Sequence, residues 1–302
     1  MMFSVVIPIH NRAHLVGPLL KSLAAKSFDD FEIVMVDDGS TDDLEAALAA
    51  LTEPRLRLIR QANAGGGAAR NAGIDAARGR YVAFLDSDDV FLPNKLERMA
   101  AAIAATGATM LFSQARVERG DGASGIKPTR GPHPDEAFED YLLVARQPVQ
   151  SSTLVVETGL ARRVRFDPAL RKFQDIDFAL RLAQMGARLH FVPEVLSIWT
   201  DSTVEGRVGS RRDPKQAYDW LDRHGHTLGR RAFHGFRANL LSYEIGSVQP
   251  FRASYYIGAA LLAGGVSPRR AAHSQVRALL PQRFYRPLVD WWLRFTTPRS
   301  RR

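Results

Sequence analysis

The 302-residue chain contains no cysteine. That absence removes disulfides, thiol nucleophiles, cysteine-bound zinc and iron–sulfur clusters, and it fits a reducing compartment. No run approaches eighteen consecutive apolar residues. The nearest, Tyr255 to Val266, is short and rich in Ala and Gly, so no bilayer-spanning segment is expected. The opening MMFSVVIPIHNR has neither a basic leader nor a small-residue cleavage pattern, which points away from a secretory signal and toward a cytoplasmic location. No Gly-x-Gly-x-x-Gly follows the first apolar run and no Gly-Lys-Ser/Thr loop occurs, so dehydrogenase and P-loop readings are set aside. Hydrophobic residues at 45% and charged residues at 24% exclude collagen-like and wholly disordered chains.

Acidic residues are scarce in the last third. Residues 205–302 hold 18 Lys/Arg against 6 Asp/Glu, whereas residues 1–204 hold 23 against 26. A basic region on a near-neutral body suits a polyanionic partner, membrane or nucleic acid, or else a solvated surface in an Arg-rich protein. No base-stacking or groove-reading module is recognisable, so nucleic acid is not expected. Residues 205–214 read as a linker. Helices are expected over 217–228, 230–241, 251–263 and 268–280. Phe284, Leu288, Trp291, Trp292 and Phe295 then fall at helical spacing, with Arg283, Arg286, Asp290 and Arg294 opposite. That pattern suits a helix lying in a membrane interface, or one packed on the core or on another subunit. His224, His226 and His234 complete no metal-ligand spacing and read as scattered surface residues.

The first hundred residues alternate strand and helix. Strands are expected over 3–7, 31–36, 56–59, 81–85 and 110–113. Helices are expected from Leu15 to Ala25, from an N-cap at Thr41 through Leu51, from the Gly65–Gly67 turn through Ala77, and from Pro93 through Ala105. This order predicts an α/β, doubly wound, mostly parallel sheet. Ligands of such sheets bind beyond the carboxyl ends of the strands. Four successive strands deliver polar groups there: His10, Asn11 and Arg12; Asp37 and Asp38; Arg60, Gln61 and Asn63; Asp86, Ser87, Asp88 and Asp89. Asp86-Ser87-Asp88 offers hard oxygen ligands for Mg²⁺ or Mn²⁺, or a turn capping the next helix. Arg70 beside a glycine-opened helix start makes an anion site. Residues 119–134 read as a loop, 135–144 as a short helix and 150–156 as a strand.

SVVIPIHNR, IVMVDDGSTDD and NAGGGAARNAGIDAARGRYVAFLDSDD, in that order and spacing, resemble a family 2 glycosyltransferase of the GT-A fold over about residues 3–200. The resemblance implies a Rossmann-like catalytic domain at 1–204 and a helical, basic C-terminal region at 205–302. It implies that Pro8, Asn11 and Asp38, with Arg12 nearby, hold the nucleoside of a nucleotide-sugar donor. Asp38 would accept from a uracil or thymine ring N–H. By the same resemblance Arg70 lies near the donor, Asp86 meets the ribose, and Asp88 is the ligand of Mn²⁺ or Mg²⁺. Asp175, in Arg171-Lys172-Phe173-Gln174-Asp175-Ile176-Asp177, takes the place of the family's general base. The structural alternative for Asp175 is helix capping, or relief of repulsion beside Asp177. Asp177 reads as structural, paired with Arg171 or Arg181.

Two features depart from the family pattern. Gln174 replaces a Glu that commonly precedes the base, which bears on acceptor contacts. Ile198-Trp199-Thr200 replaces a Tyr-Arg and later His, which bears on a late metal or pyrophosphate contact. The resemblance implies an inverting, metal-assisted transfer to a hydroxyl of a glycan or lipid-linked acceptor, with segment 114–150 shaping the acceptor side. The alternative is a catalytically silent nucleotide-sugar binder or scaffold.

Overall fold

The computed structural model describes residues 1–24, 27–118, 124–201 and 212–280. The aromatic segment Phe284 to Phe295 and most of the expected 205–214 linker lie outside the described residues. The chain divides into two compact units. The first is Met1–Val117, Ile126–Gly131 and Pro148–Thr200; the second is Glu118–Gly125, Pro132–Gln147 and Asp201–Arg302.

The first unit is built on β1 (Phe3–Ile9), β2 (Phe31–Asp38), β3 (Leu56–Gln61) and β4 (Tyr81–Phe84), all parallel. The helices α1 (Ala13–Ala24), α2 (Leu44–Ala49) and α3 (Gly66–Ala76) make the crossovers. β2 is buried along its whole length and β1 along nearly all of it, which is why both read as continuous apolar runs. α3 lies close on β1 because Gly73 has no side chain: a Cβ there would stand 2.3 Å from Val6 Cγ1.

Beyond β4 come β5 (Val90–Phe91), α4 (Lys95–Thr106), β6 (Met110–Glu118) and β7 (Ser124–Lys127). The helix α5 (Phe138–Leu143) belongs to the second unit; β8 (Leu154–Glu157), α6 (Thr158–Val164), α7 (Gln174–Gln184) and β9 (Leu189–Thr200) complete the first. The sheet runs β3-β2-β1-β4-β8-β6-β9-β5. β8 is antiparallel to β4 and β6, and β9 to β5. The parallel order therefore covers four strands, and an antiparallel half follows. Phe3, Ile7, Leu19, Met35, Tyr81, Leu96 and Leu111 are among the buried core.

Several local expectations change. α2 begins at Leu44, because the Thr41 amide donates to Asn11 Oδ1 and the Asp42 carboxylate accepts from the Ala13 amide, each at 2.7 Å. α4 begins at Lys95 rather than Pro93. Ser151–Thr153 form a 3₁₀ turn before β8, capped by Gln150, whose side chain accepts from the Ser152 amide. β7 also occupies part of the stretch expected as loop.

The second unit contains α5, α8 (Pro214–His224), α9 (Arg230–Phe236), α10 (Ser242–Ile245), α11 (Pro250–Leu262) and α12 (Pro268–Leu279), with a π-helical stretch Arg237–Leu241 between α9 and α10. Trp220 stacks on Phe236 at 4.3 Å, and Leu241, Ile245, Ala253 and Ala260 are buried with them. Buried Asn239 donates to the Leu143 carbonyl at 2.8 Å and accepts from Ser274 at 3.2 Å. Among the described residues no helix is long and apolar enough to cross a membrane.

Candidate active site

The strands β1, β2 and β3 end level with one another. Ile9 pairs with Asp37, Asp37 with Arg60 and Asp38 with Gln61. Pro8 pairs with Val36 one position before that end, and Asn11, two residues past β1, lies at φ +50°. A non-glycine residue in the left-handed region is held there by its surroundings. Here the Asn11 side chain accepts from the Thr41 amide and its own amide donates to Ser40 Oγ at 3.0 Å. The β1 and β2 loops are thereby tied together.

Asp38 is buried, and its carboxylate already accepts three bonds: from Gln61 at 2.7 Å, the Ala64 amide at 2.9 Å and the Gly65 amide at 2.8 Å. It fastens the glycine turn to β2. A carboxylate offers about four acceptor positions, so one stays open. Gly65, at φ +89°, then opens α3.

Arg70 projects from the start of α3 and is 8% exposed. Its Nη2 donates to Asp86 Oδ1 at 2.5 Å and its Nη1 to Gln174 Oε1 at 2.7 Å, while its Nε is buried without a partner. The guanidinium lies 5.3 Å from the Phe166 ring, within the Phe84–Phe166–Phe178 cluster. Burial works against its charge, but Asp86, Asp175 and Asp89 more than offset that, so it is held charged. A buried cation with one unpartnered N–H fits an incoming anion. Next to it Asn71 clasps Phe166 by donating to its carbonyl and accepting from its amide, each at 2.8 Å.

The β4 end carries three carboxylates. Asp86 also accepts from Gln150 at 3.1 Å. Asp88 faces Arg12 at 3.0 Å, and Arg12 bonds Ser87 as well. Asp89 is buried and accepts from Ser152 at 2.6 Å, Gln150 at 2.8 Å and the Thr200 amide at 2.9 Å. Burial, with Asp86 and Asp88 nearby, pushes the Asp89 carboxyl up to about 8. Asp175 stands in the first turn of α7, after Phe173 at φ +63°, and receives the Ser151 hydroxyl. Burial pushes its carboxyl above the usual carboxylate range. Asp86 adds to the push, whereas Arg70 and Ser151 oppose it. Asp177 is turned away and paired with Arg181 at 2.5 Å.

The structure thus brings Arg70, Asp86 and Asp175 together, with Asp88 and Arg12 alongside. Pro8, Asn11 and Asp38 stand on the β1–β2 side of the same rim. Sequence reasoning missed the Gln150-Ser151-Ser152 bend, which reaches Asp86, Asp89 and Asp175 in three successive residues. The available signal was a polar run, Gln-Ser-Ser-Thr, opening an apolar strand. Thr200, read in the sequence only as part of a departure from the family pattern, holds Asp89 through its amide.

A family model described as glycosyl transferase family 2 matches residues 4–163, more than half of the chain. The chain belongs to glycosyl transferase family 2. The transferase is 28% identical to the amylovoran biosynthesis glycosyltransferase AmsB of Erwinia amylovora, over 78% of this chain and 82% of that one. In fold it resembles S. aureus TarS 1-349 solved with UDP-GlcNAc, at TM-score 0.65, 22% identity, and coverage of 99% and 93%. It also resembles the mannosyltransferase PcManGT of Pyrobaculum calidifontis, solved with GDP-Man and Mn²⁺, at TM-score 0.53 and 18% identity, over 96% and 79%. The two structural likenesses establish a shared GT-A fold.

Among the described residues no group of three His, Asp or Glu side chains is arranged to hold a metal ion. Magnesium and manganese, however, commonly take one or two carboxylates and complete their shell with substrate phosphates and water. Asp88, with its side chain 17% exposed on the rim, fits such a partial site. Its cationic neighbour in this structure is Arg12, which a metal there would have to share or displace.

Proposed function

We propose that the transferase moves a sugar from a nucleoside diphosphate donor, a UDP-sugar, to a hydroxyl of a glycan or lipid-linked acceptor, with inversion at the anomeric carbon. The reading assigns it to polysaccharide biosynthesis, as the name of AmsB does for that relative. The observation that carries it is the meeting of a charged, buried Arg70 and a carboxyl of raised pKa, Asp175, beside the β4 carboxylates. A cation and a base within one pocket are what an in-line displacement at a phosphorylated carbon requires.

In this mechanism the acceptor oxygen bonds to the anomeric carbon as the carbon–oxygen bond to the diphosphate breaks. Asp175 takes the hydroxyl proton, and the departing diphosphate keeps the electron pair of the broken bond. Burial makes Asp175 a stronger base than a solvated carboxylate, and the Ser151 hydroxyl fixes its orientation. Arg70 stabilises the charge that develops on the leaving oxygen, with its unpartnered Nε available to it. Pro8, Asn11 and Asp38 seat the nucleoside, and Asp86 meets the ribose. Mn²⁺ or Mg²⁺, held by Asp88, would neutralise diphosphate charge when bound. In this reading residues 1–204 form the catalytic domain, and the basic region 205–302 faces the cytoplasmic surface of a membrane.

The test is a thermal-shift panel of UDP, dTDP, GDP and their sugar conjugates, with and without Mn²⁺. A ligand that binds only the folded state raises the midpoint by mass action. A metal-dependent shift with a uridine conjugate is expected. No shift with any nucleotide in a folded sample would overturn the donor-site reading.

A further inference from the structure

α11 reads PFRASYYIGAALL, with Arg252 and Ser254 as its only polar side chains outside the tyrosines. A helix that is apolar all round needs cover on every face. Ala253, Tyr256, Ile257 and Ala260 are buried in the second unit. The opposite face is open: Phe251 is 90% exposed, Tyr255 66% and Leu262 90%. Their spacing, with Gly258 between the last two, sets them in one stripe along the helix. A Cβ at Gly258 would meet nothing within 4 Å, so the stripe is uncovered along its middle as well. Val248, 70% exposed, extends it ahead of the helix, and Leu261, 41% exposed, broadens its far end.

Charge decides what covers this face. Residues 230–280 contain seven arginines and a single acidic residue, Glu244, which is buried. Arg252 beside the stripe and Arg269 just after the following turn are exposed. A second copy would bring like charge against like charge, whereas an anionic bilayer supplies both an apolar interior and opposite charge. The Tyr255 ring, apolar in its body and polar at its tip, suits the interfacial depth. We infer that α11 docks the protein on an anionic lipid surface, with Phe251, Tyr255 and Leu262 entering the headgroup boundary and Arg252 and Arg269 pairing with lipid phosphates. The inference deepens the membrane part of the proposed function and is independent of the donor site.

The experiment is flotation of the full chain with vesicles of pure phosphatidylcholine, or with about 30% phosphatidylglycerol added. The wild-type protein is expected to float with the anionic vesicles only, and less so as salt rises from about 0.1 M to about 0.5 M. The F251S/Y255S/L262S variant is expected to bind roughly a hundredfold more weakly. R252E/R269E is expected to lose the preference for anionic lipid. Each variant is checked for wild-type melting and for the same nucleotide-induced shift, which separates loss of docking from loss of fold. Anionic-vesicle binding by the serine variant equal to wild type, or no vesicle binding by wild type, would overturn the inference. So would a concentration-dependent dimer that the serine variant abolishes in a protein that ignores vesicles, since the stripe would then belong to a second copy. A missing nucleotide shift with vesicle binding intact would count against the donor site alone.

Discussion

The two ends of the parallel sheet bury carboxylates in opposite ways. At the amino ends of the strands, Glu32 accepts from Ser4 Oγ at 2.7 Å, the Arg78 amide at 2.7 Å and Arg57 at 3.0 Å. Burial alone would raise its pKa, but these three partners hold it below the usual carboxylate range. At the carboxyl ends, Asp89 and Asp175 are buried beside Asp86, and their partners do not offset the loss of water and the like charge. The first arrangement is a finished structural ion pair. The second leaves two buried carboxyls above their ordinary range beside the buried, charged Arg70. Carboxyls with raised pKa clustered in a cleft mark functional sites more often than structural ones. The same chemical group is fully partnered at one end and left with a raised pKa at the other.

The sharpest way to break this comparison is to neutralise one carboxyl at each end. Asp175→Asn is expected to lower transfer about a thousandfold. Nucleoside diphosphate binding, read by calorimetry, should stay near wild type. Wild-type turnover would remove Asp175 as the base. Glu32→Ala should leave transfer at low temperature intact but cost about 3 kcal/mol of stability by denaturant unfolding, because Arg57, Ser4 and the Arg78 amide lose their shared partner. A stability loss for Asp175→Asn as large as that for Glu32→Ala would erase the distinction between the two ends.

Smaller effects sharpen it. Asp88→Ala is expected to weaken UDP binding about tenfold with Mn²⁺ present and little without it. Equal affinities under both conditions would take Asp88 out of the metal shell. The smallest effect is on the pH dependence of stability. The folded Asp89 carboxyl keeps its proton up to about pH 8, whereas the unfolded one releases it near the ordinary value of 3.8. Between those limits only the folded state holds the proton, so this group makes stability fall as pH rises through that window. Asp175, shifted the same way, adds to the slope. Melting of the metal-free protein should therefore drop between about pH 5.5 and about pH 8.5, and Asp89→Asn should flatten that slope. A Glu32→Gln variant should leave the slope unchanged, because the Glu32 shift acts below the ordinary glutamate range.

Much of the rim was legible because its residues are local to strand ends. A strand that reads SVVIPI or FEIVMV can only be buried, and whatever follows it must surface at the rim. Asp38, Asp86 and Asp88 could be placed in that way. The helix starts were less legible, because Thr41 and Asp42 spend their polar groups on Asn11 and Ala13, which lie about thirty residues away in the chain. Gln150, Ser151 and Ser152 were not legible as site residues at all. Their partners come from β4, 61 to 66 residues before, and from α7, 24 residues after.

The sequence by itself determined the apolar periods, and with them the α/β order, the four-stranded rim and the helical character of residues 212–280. It also set the charge imbalance of the C-terminal third, since composition needs no fold. Only the tertiary structure decided the ionisation of the carboxyls, the occupation of Asp38 by the glycine turn, the Arg12–Asp88 pair and the exposed stripe of α11. Those depend on burial and on which distant groups arrive as partners. Hydrogen bonds and Coulomb interactions act over a few ångströms in space, whatever the separation along the chain.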